Sequence, residues 1–278
     1  MIDLNNGIVV VSGGGSGIGR GLALKAAARG ARVAVVDIQR DAAAETVALL
    51  AAAAGEARAY EADVTDLEAL QTLASQIERD FGCINMVFNN AGVFSGGTLA
   101  QTRPQDFGWL FEVNVRGLYN AIQAFLPALE RTAAAGGLAH FVNTGSENSL
   151  AVPPLGPFSA YTATKHAVFG ITDCLRRDVK GSGIGVSLIC PGLVQTNLWN
   201  AKRTRQDRFG GAREAAAAAG GSMAAGRTIE ATADTVFEGL DAGEFLIVTD
   251  PRIRSFAAPR LDEIARALDT ADARITTL

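Results

Sequence analysis

A tyrosine and a lysine stand four residues apart in the stretch SAYTATKHAVFG, residues 159–170. On an α-helix this spacing puts both side chains on one face, one turn apart. A phenol normally keeps its proton up to pH ~10, and a lysine ammonium is charged over the same range. Because a nearby cation favours the phenolate, Lys165 is placed to lower the pKa of Tyr161 toward neutral pH. We interpret the pair as a proton-transfer site, although an ordinary amphipathic pair would have the same spacing.

A glycine-rich turn, SGGGSGIGRG, follows the first apolar run of the chain. Its glycines have the form G-x-x-x-G-x-G, between a predicted strand and a predicted helix. Gly13 allows a sharp turn, Gly17 lets the backbone approach a pyrophosphate, and Gly19 lets the helix pack close to the sheet. The helix N-terminus then attracts the anion. The spacing excludes a Walker-type nucleoside triphosphate loop and predicts a dinucleotide site.

Asp37 ends the second apolar run, where a carboxylate meets the adenosine ribose in such sites. A carboxylate accepts hydrogen bonds from ribose hydroxyls and repels a 2′-phosphate. The sequence therefore predicts NAD as the cofactor, with NADP less favoured. Two alternatives stay open: Asp37 could cap the next helix, and Arg40 could weaken the preference.

Short, continuously apolar runs alternate with helical patterns along the chain, as expected of strands covered on both faces. The clear runs are 8–11, 33–36, 85–88, 140–143, 186–190 and 245–248, with a weaker one within 57–64. This alternation predicts a single α/β domain over residues 1–278, a doubly wound Rossmann-type sheet of about seven parallel strands flanked by helices. Residues 193–226 are predicted to form a substrate lid, or else a pair of surface helices. Residues 250–278 are predicted to be a helical C-terminal extension.

The composition narrows the range of partners. A formal net charge of −4 argues against nucleic acid or anionic lipid as a partner. The chain has no apolar run of the ~20 residues that a membrane span needs, and no basic leader. We therefore expect a cytoplasmic protein that does not bind membranes. We interpret Cys83, Cys174 and Cys190 as buried thiols, and His140 and His166 as structural, with no metal site.

The motifs in this order resemble the short-chain dehydrogenase/reductase family, in its single-domain, NAD-preferring form. Besides the glycine turn, the resemblance is carried by ADV (62–64), NNAG (89–92), NVRG (114–117), YTATK (161–165) and PGLVQT (191–196), and it extends from residue 6 to residue 249. It implies that Asp63 and Val64 flank the adenine and that PGLVQT holds the nicotinamide carboxamide. The cofactor-binding residues implied by the motifs and the resemblance together are Gly13, Ser16, Gly17, Ile18, Gly19, Asp37, Asp63, Val64, Asn90, Ala91, Gly92, Tyr161, Lys165, Pro191, Gly192, Val194 and Thr196.

The catalytic residues implied by the resemblance are Asn114, Ser146, Tyr161 and Lys165. Asn114 would open its helix and hold a water that links Lys165 to solvent. The catalytic serine usually stands 13 residues before the tyrosine in this family, but Asn148 occupies that position here. Ser146, which follows the predicted strand, is therefore preferred, and Ser149 is its competitor.

The implied function is an NAD-dependent oxidoreductase that interconverts a secondary alcohol and a ketone by direct hydride transfer, with Tyr161 as general acid/base. Two alternatives are a non-catalytic dinucleotide sensor and a nucleotide-sugar epimerase or dehydratase. The family also implies a homo-oligomer, a tetramer or a dimer, assembled through helices near 105–130 and 159–179.

Residues on the segments bordering the expected site suggest an apolar, aromatic or alicyclic small molecule as substrate. They are Phe94, Leu150, Val152, Leu155, Phe158, Leu193 and Trp199. A basic run in the lid segment is interpreted as a solvated face, with contact to a substrate carboxylate as the alternative. It comprises Lys202, Arg203, Arg205 and Arg208.

Overall fold

The computed structural model describes residues 2–53, 55–154, 156–213 and 225–276. Strands and helices alternate along the chain. The strands are β1 (Ile8–Ser12), β2 (Arg32–Asp37), β3 (Ala57–Glu61), β4 (Ile84–Asn89), β5 (Ala139–Thr144), β6 (Ile184–Cys190) and β7 (Leu246–Val248). The helices are α1 (Gly17–Ala28), α2 (Arg40–Ala52), α3 (Leu67–Phe81), α4 (Pro104–Phe111), α5 (Gly117–Ala134), α6 (Ser159–Asp178), α7 (Ile229–Asp241) and α8 (Arg254–Thr276).

Within the described residues the strands form one parallel sheet, in the order β3-β2-β1-β4-β5-β6-β7. From β1 the sheet continues through β2 and β3 on one side and through β4, β5, β6 and β7 on the other. This reversal of strand order places a crevice at the carboxyl ends of β1 and β4, where doubly wound folds bind their ligands. The predicted sheet of about seven parallel strands is confirmed.

Each face of the sheet has its own apolar core. On one face α3, α5 and α6 pack around residues such as Ile77, Leu129 and Phe141. On the other face α1, α2 and α7 pack around Leu22 and Phe237. All residues of β1 and β5 are buried, which explains why these strands read as continuous apolar runs rather than as alternating patterns.

The prediction of three buried thiols is wrong for two of the cysteines. Cys190 at the end of β6 is buried, but Cys83 and Cys174 are exposed. Cys83 lies in the turn after α3, where the backbone leaves the core at Gly82 with a positive φ. Cys174 lies on an exposed face of α6. Apolar neighbours in the sequence do not reveal which side of a helix faces solvent.

The residues beyond Thr249 include the predicted helix, α8, whose side chains are largely exposed. Among the helices of the described residues, none is long and apolar enough to span a membrane.

Candidate functional site

The glycine turn joins β1 to α1 and forms the floor of a cleft of about 500 Å³. Gly13 and Gly17 have positive φ angles of 64° and 52°, a conformation that favours glycine. A Cβ atom on Gly13 would lie 2.9 Å from the Cα of Ala91, and one on Gly17 would lie 3.2 Å from the Thr196 methyl group. The turn therefore leaves bare backbone facing the cleft at the N-terminus of α1, as an anion site requires.

Gly19 does not line the cleft but supports the turn from behind. A Cβ atom at this position would overlap the carbonyl oxygen of Gly13 and lie 2.6 Å from the Nδ2 of Asn90. The contact is thus made with the turn itself rather than with the sheet that the sequence analysis named.

We expect Gly19→Ala to weaken dinucleotide binding by roughly 10- to 100-fold and to destabilise the fold by about 1–3 kcal/mol, because the added methyl group pushes on rigid backbone. Calorimetric titration with NAD and urea unfolding measure the two effects. Gly170→Ala is the matched control, since a Cβ there meets nothing within 4 Å. Equal affinities of wild type and Gly19→Ala would contradict this role.

Ser12 connects the glycine turn to the NNAG motif. Its Oγ accepts hydrogen bonds from the backbone N–H groups of Asn90 (3.0 Å) and Ala91 (3.1 Å), and Asn90 Nδ2 donates to the Ser12 carbonyl oxygen at 3.1 Å. The loops after β1 and β4 are thereby held together. Asn90, Ala91 and Gly92 all line the cleft.

Two carboxylates line the far end of the cleft. Asp37 accepts hydrogen bonds from the N–H groups of Gly15 (3.0 Å) and Gln39 (2.9 Å), which fixes its carboxylate at the carboxyl end of β2. Asp63 accepts hydrogen bonds from Thr65, and Val64 lies beside it in the cleft wall. Arg40, which could weaken the preference for NAD, is not among the residues of the described chain that line this cleft.

Tyr161, Lys165 and Ser146 meet in the middle of the cleft, and all three are buried. The first two lie one turn apart on α6, and Ser146 follows the end of β5. Lys165 Nζ lies 5.6 Å from the centre of the Tyr161 ring and donates to the Thr144 carbonyl oxygen at 3.0 Å. The tyrosine ring packs edge-on against Phe94, with centroids 5.1 Å apart, so its position is fixed.

The electrostatics of this cluster differ from the expectation. Burial raises the pKa of the Tyr161 phenol, a hydrogen bond with Ser146 lowers it, and the charge of Glu147 raises it. Burial also lowers the pKa of the Lys165 ammonium to about 8. The hydrogen bond with Ser146 favours the phenolate, whereas burial disfavours the charged forms of both the phenol and the amine.

The hydrogen bonds around Ser146 distinguish it from Ser149. Ser149 Oγ donates to the Lys165 carbonyl oxygen at 2.8 Å and accepts from the Ser146 N–H, so it has a structural role. Ser146 Oγ faces the cleft and accepts a hydrogen bond from Asn148 Nδ2 at 3.2 Å. Asn148 in turn accepts a hydrogen bond from Thr162 at 2.6 Å. The loop thus presents Ser146, and not the residue 13 positions before the tyrosine, to Tyr161.

Asn114 lies behind the cleft in a π-helical turn, Glu112–Arg116, between α4 and α5. Its side chain accepts a hydrogen bond from the Val93 N–H (2.8 Å) and donates to the Val93 carbonyl oxygen (2.9 Å) and to Thr164 Oγ1 (3.1 Å). The local opening of the helix expected at this residue is present, since a π turn widens the hydrogen-bonded ring.

The PGLVQT segment after β6 forms the wall opposite NNAG, and Pro191, Gly192, Val194 and Thr196 line the cleft. A Cβ atom on Gly192 would lie 2.8 Å from the Cβ of Asp250, so glycine permits the close approach of the loop after β7. The other predicted cofactor residues of the glycine turn that line the cleft are Ser16 and Ile18.

The interpretation of the basic run as a solvated face is wrong for Arg205, although Arg208 is exposed. Arg205 is only 3% exposed and forms a salt bridge with Asp106, which is 6% exposed. Lys202 Nζ lies 3.9 Å from the same carboxylate. Arg208 donates to Asp63 at 3.0 Å, so the run fastens its segment to the body of the protein. No pattern in the sequence indicates that Asp106, 99 residues before Arg205 in the chain, supplies the counter-charge.

Only some of the apolar residues expected at the site line the cleft. Phe94, Phe158 and Leu193 line the cleft, whereas Val152 is 73% exposed. Leu150 packs against the core, Trp199 is half-buried, and Leu155 lies outside the described residues. Several polar residues that line the cleft were not predicted from the sequence, among them Glu147, Asn197 and Gln206. Glu147 stands next to the selected serine, and its charge was the available signal.

The two histidines have structural partners. His140 Nε2 lies 3.0 Å from Ser187 Oγ, and burial lowers its pKa to about 4. His166 Nδ1 contacts the Thr162 carbonyl oxygen at 3.0 Å. In the part of the chain that the structure describes, no group of His, Cys, Asp or Glu side chains could hold a metal ion.

Comparison with known proteins identifies the family. The short chain dehydrogenase family model matches residues 7–207. The probable oxidoreductase EphD of Mycobacterium tuberculosis is 35% identical over 211 residues, which are 74% of this chain and 35% of that protein. This chain thus spans about a third of the length of that relative. The 1-deoxy-11-beta-hydroxypentalenate dehydrogenase of Streptomyces exfoliatus is 36% identical, over 68% of each chain.

Similarity to a solved crystal structure supports the same family. A short-chain dehydrogenase/reductase from Burkholderia phymatum in complex with NAD is 32% identical, with a TM-score of 0.87 over 96% of this chain and 97% of that one. The chain belongs to the short-chain dehydrogenase family, whose members are oxidoreductases that bind a nicotinamide dinucleotide. The bare glycine turn and the carboxylate-lined end of the cleft fit such a cofactor.

Proposed function

We propose that this protein is an NAD-dependent oxidoreductase that interconverts a secondary alcohol and a ketone on an apolar small molecule. The observation that carries the proposal is the convergence of Tyr161, Ser146 and Lys165 in one cleft with the glycine turn. The nicotinamide cofactor supplies the hydride acceptor or donor when it is bound. The side chains of the protein hold the alcohol oxygen and move its proton.

The chain's own groups divide this work. Ser146 Oγ holds the substrate oxygen beside the phenol, and Tyr161 takes the proton from that oxygen or returns it. Burial and the charge of Glu147 both raise the pKa of Tyr161, so the cluster needs positive charge to work near neutral pH. Lys165 supplies part of it, and the oxidised nicotinamide ring adds to it. The hydrogen bond from Asn114 to Thr164 stabilises α6 beside Lys165. We propose that the proton passes between Lys165 and solvent on the Asn114 side of this helix.

Asp37 supports NAD over NADP, because its fixed carboxylate lines the end of the cleft where the adenosine ribose would bind. We expect Asp37→Ser to raise kcat/KM with NADP⁺ relative to NAD⁺ by roughly 10- to 100-fold, since it removes a charge that repels a 2′-phosphate a few ångströms away. Initial rates with both coenzymes measure this ratio.

The matched control for this substitution is Asp41→Ser, which removes an exposed carboxylate four positions further along the chain. It should leave the ratio of the two coenzymes unchanged. The assignment of Asp37 fails if the two variants behave alike.

The substrate class follows from the cleft wall. Phe94 and Phe158 pack edge to face with centroids 5.0 Å apart, and Leu193 and Leu198 line the same cleft. This surface favours an aromatic or alicyclic alcohol over a small hydrophilic one.

A substrate panel tests the proposal directly. Purified protein is mixed with NAD⁺ and a set of secondary aromatic and alicyclic alcohols, and the absorbance of reduced nicotinamide is followed. Turnover of at least one alcohol is expected. Tight NAD binding without turnover of any member would support the dinucleotide sensor instead.

We also propose a homo-oligomer assembled through α4, α5 and α6. Phe107 on α4 and Tyr119 on α5 are 42% and 50% exposed, which supports a covered face on these helices. Cytoplasmic localisation stays a prediction.

A further inference from the structure

Glu147 places a carboxyl group in the wall of the cleft next to the reacting groups. It follows Ser146 directly and begins the short helical turn Glu147–Ser149 after β5. Its N–H donates to the Pro191 carbonyl oxygen at 2.7 Å, which ties this turn to the loop after β6. The backbone that carries the carboxyl group is therefore held from two sides of the cleft.

The other charged side chains of the cleft wall have partners within the protein. Asp37 and Asp63 accept hydrogen bonds from backbone and side-chain donors, and Lys165 donates to the Thr144 carbonyl oxygen. Arg203 donates to the carbonyl oxygens of residues 197 and 200 at 3.3 and 3.2 Å. Among the residues that the structure describes, none forms a hydrogen bond or salt bridge with the carboxylate of Glu147.

The charges near Glu147 do not neutralise it. Arg252 is committed to Asp250, with contacts of 3.0 and 2.5 Å to the two carboxylate oxygens. Burial raises the pKa of Glu147 to about 7, the Asp250 carboxylate adds to this rise, and Arg252 opposes it. The carboxyl oxygens of Glu147 are not among the fully buried polar atoms without a partner, so they remain accessible from the cleft. A donor group of a ligand can therefore reach them.

The surroundings restrict what that ligand can be. The cleft on this side is formed largely by aromatic and aliphatic side chains, among them Phe94, Phe158 and Leu193. The charge of Glu147 acts on the phenol of Tyr161, so its carboxyl group lies near the reacting groups. A substrate donor that meets this carboxyl group therefore belongs to the same end of the substrate as the alcohol.

We propose that Glu147 is a specificity-determining residue that accepts a hydrogen bond from a second hydroxyl or amino group of the substrate, on the carbon beside the alcohol carbon. The substrate class is thus an apolar vicinal diol or amino alcohol, or the corresponding ketone. This inference rests on the proposed function and narrows it. A site built to pair with a substrate donor discriminates strongly against analogues that lack it, because its own polar group is then left unpaired.

The experiment uses matched pairs of alcohols with the wild-type protein and with Glu147→Leu and Glu147→Gln. Cyclohexanol is compared with its vicinal cis-diol, and the secondary alcohol of ethylbenzene with its vicinal diol. We expect wild type to prefer the diols in kcat/KM by at least roughly 10-fold. Glu147→Leu should lose this preference, mainly through a higher KM for the diol, and Glu147→Gln should retain part of it.

The control is Glu244→Leu, which replaces an exposed glutamate in the turn before β7 and should leave the preference unchanged. The inference is overturned if wild type shows no preference for diols, or if Glu147→Leu lowers kcat/KM equally for both members of a pair. The absence of turnover on every alcohol by wild type would instead contradict the proposed function. These outcomes are distinguishable because the preference is a ratio of two measured kcat/KM values, whereas failure of the proposed function leaves no turnover to compare.

Discussion

Replacing Tyr161 by phenylalanine is expected to lower kcat by about a thousand-fold, the size typical of losing a positioned general acid–base group. The substitution removes one hydroxyl group and leaves the ring, which packs against Phe94 with centroids 5.1 Å apart. The cleft should therefore keep its shape and its affinity for NAD. Steady-state kinetics on the best alcohol of the panel, together with calorimetric titration of NAD, measure both quantities.

Tyr119→Phe is the control, because this tyrosine is half-exposed on α5 and lies outside the cleft. It should retain wild-type kcat. Turnover by Tyr161→Phe within a few-fold of wild type would remove this residue from the mechanism, and Lys165 and Glu147 would then be the nearby groups of the cleft able to move the proton.

The second large effect concerns stability. We expect Asp106→Asn to lower the free energy of unfolding by about 3–5 kcal/mol, because it leaves the buried guanidinium of Arg205 without its counter-charge. Arg103 also donates to this carboxylate, at 3.0 and 3.1 Å. Urea unfolding at neutral pH measures the loss. The double variant Asp106→Leu with Arg205→Met should recover much of it, since neither buried charge then remains.

The same pair gives a pH dependence whose sign can be stated. Burial raises the pKa of Asp106, but the hydrogen bonds from Arg103 and Arg205 prevail and the net pKa is lowered. The stabilisation is therefore complete above the ordinary aspartate pKa of roughly 4 and is lost as the pH falls below it. The difference between wild type and Asp106→Asn should narrow under acid conditions. Glu263→Gln, which breaks the exposed pair with Arg260, should cost under about 1 kcal/mol and serves as the control.

The sheet could be predicted because its strands are buried on both faces. β1 and β5 are buried along their whole length, so apolar residues fall on both faces of each strand and the sequence signal is strong. The glycine turn could also be predicted, because Gly13 and Gly17 have backbone angles that other residues avoid. These features depend on the local chain, and local sequence is sufficient to specify them.

The features that were missed depend on distant partners. The sequence predicts that Arg205 is a solvent-exposed charge, because only folding brings its partner Asp106 beside it. The same holds for the pKa of Tyr161, because its rise comes from burial, which the spacing of two residues on a helix cannot report. Ser146 was already preferred to Ser149 from the sequence, and the hydrogen bond from Ser149 to the Lys165 carbonyl oxygen supports that preference.

The contacts of residues 202–208 bear on how tightly this cleft can hold a ligand. Asp106 fastens one part of the segment, and Asp63 accepts hydrogen bonds from Gln206 (3.1 Å) and Arg208 at the other. A wall that is already ordered loses little conformational entropy when a ligand arrives. Affinity along this wall should then depend on complementarity of shape and charge. The association of a ligand should show little of the unfavourable entropy that accompanies the ordering of a loose loop.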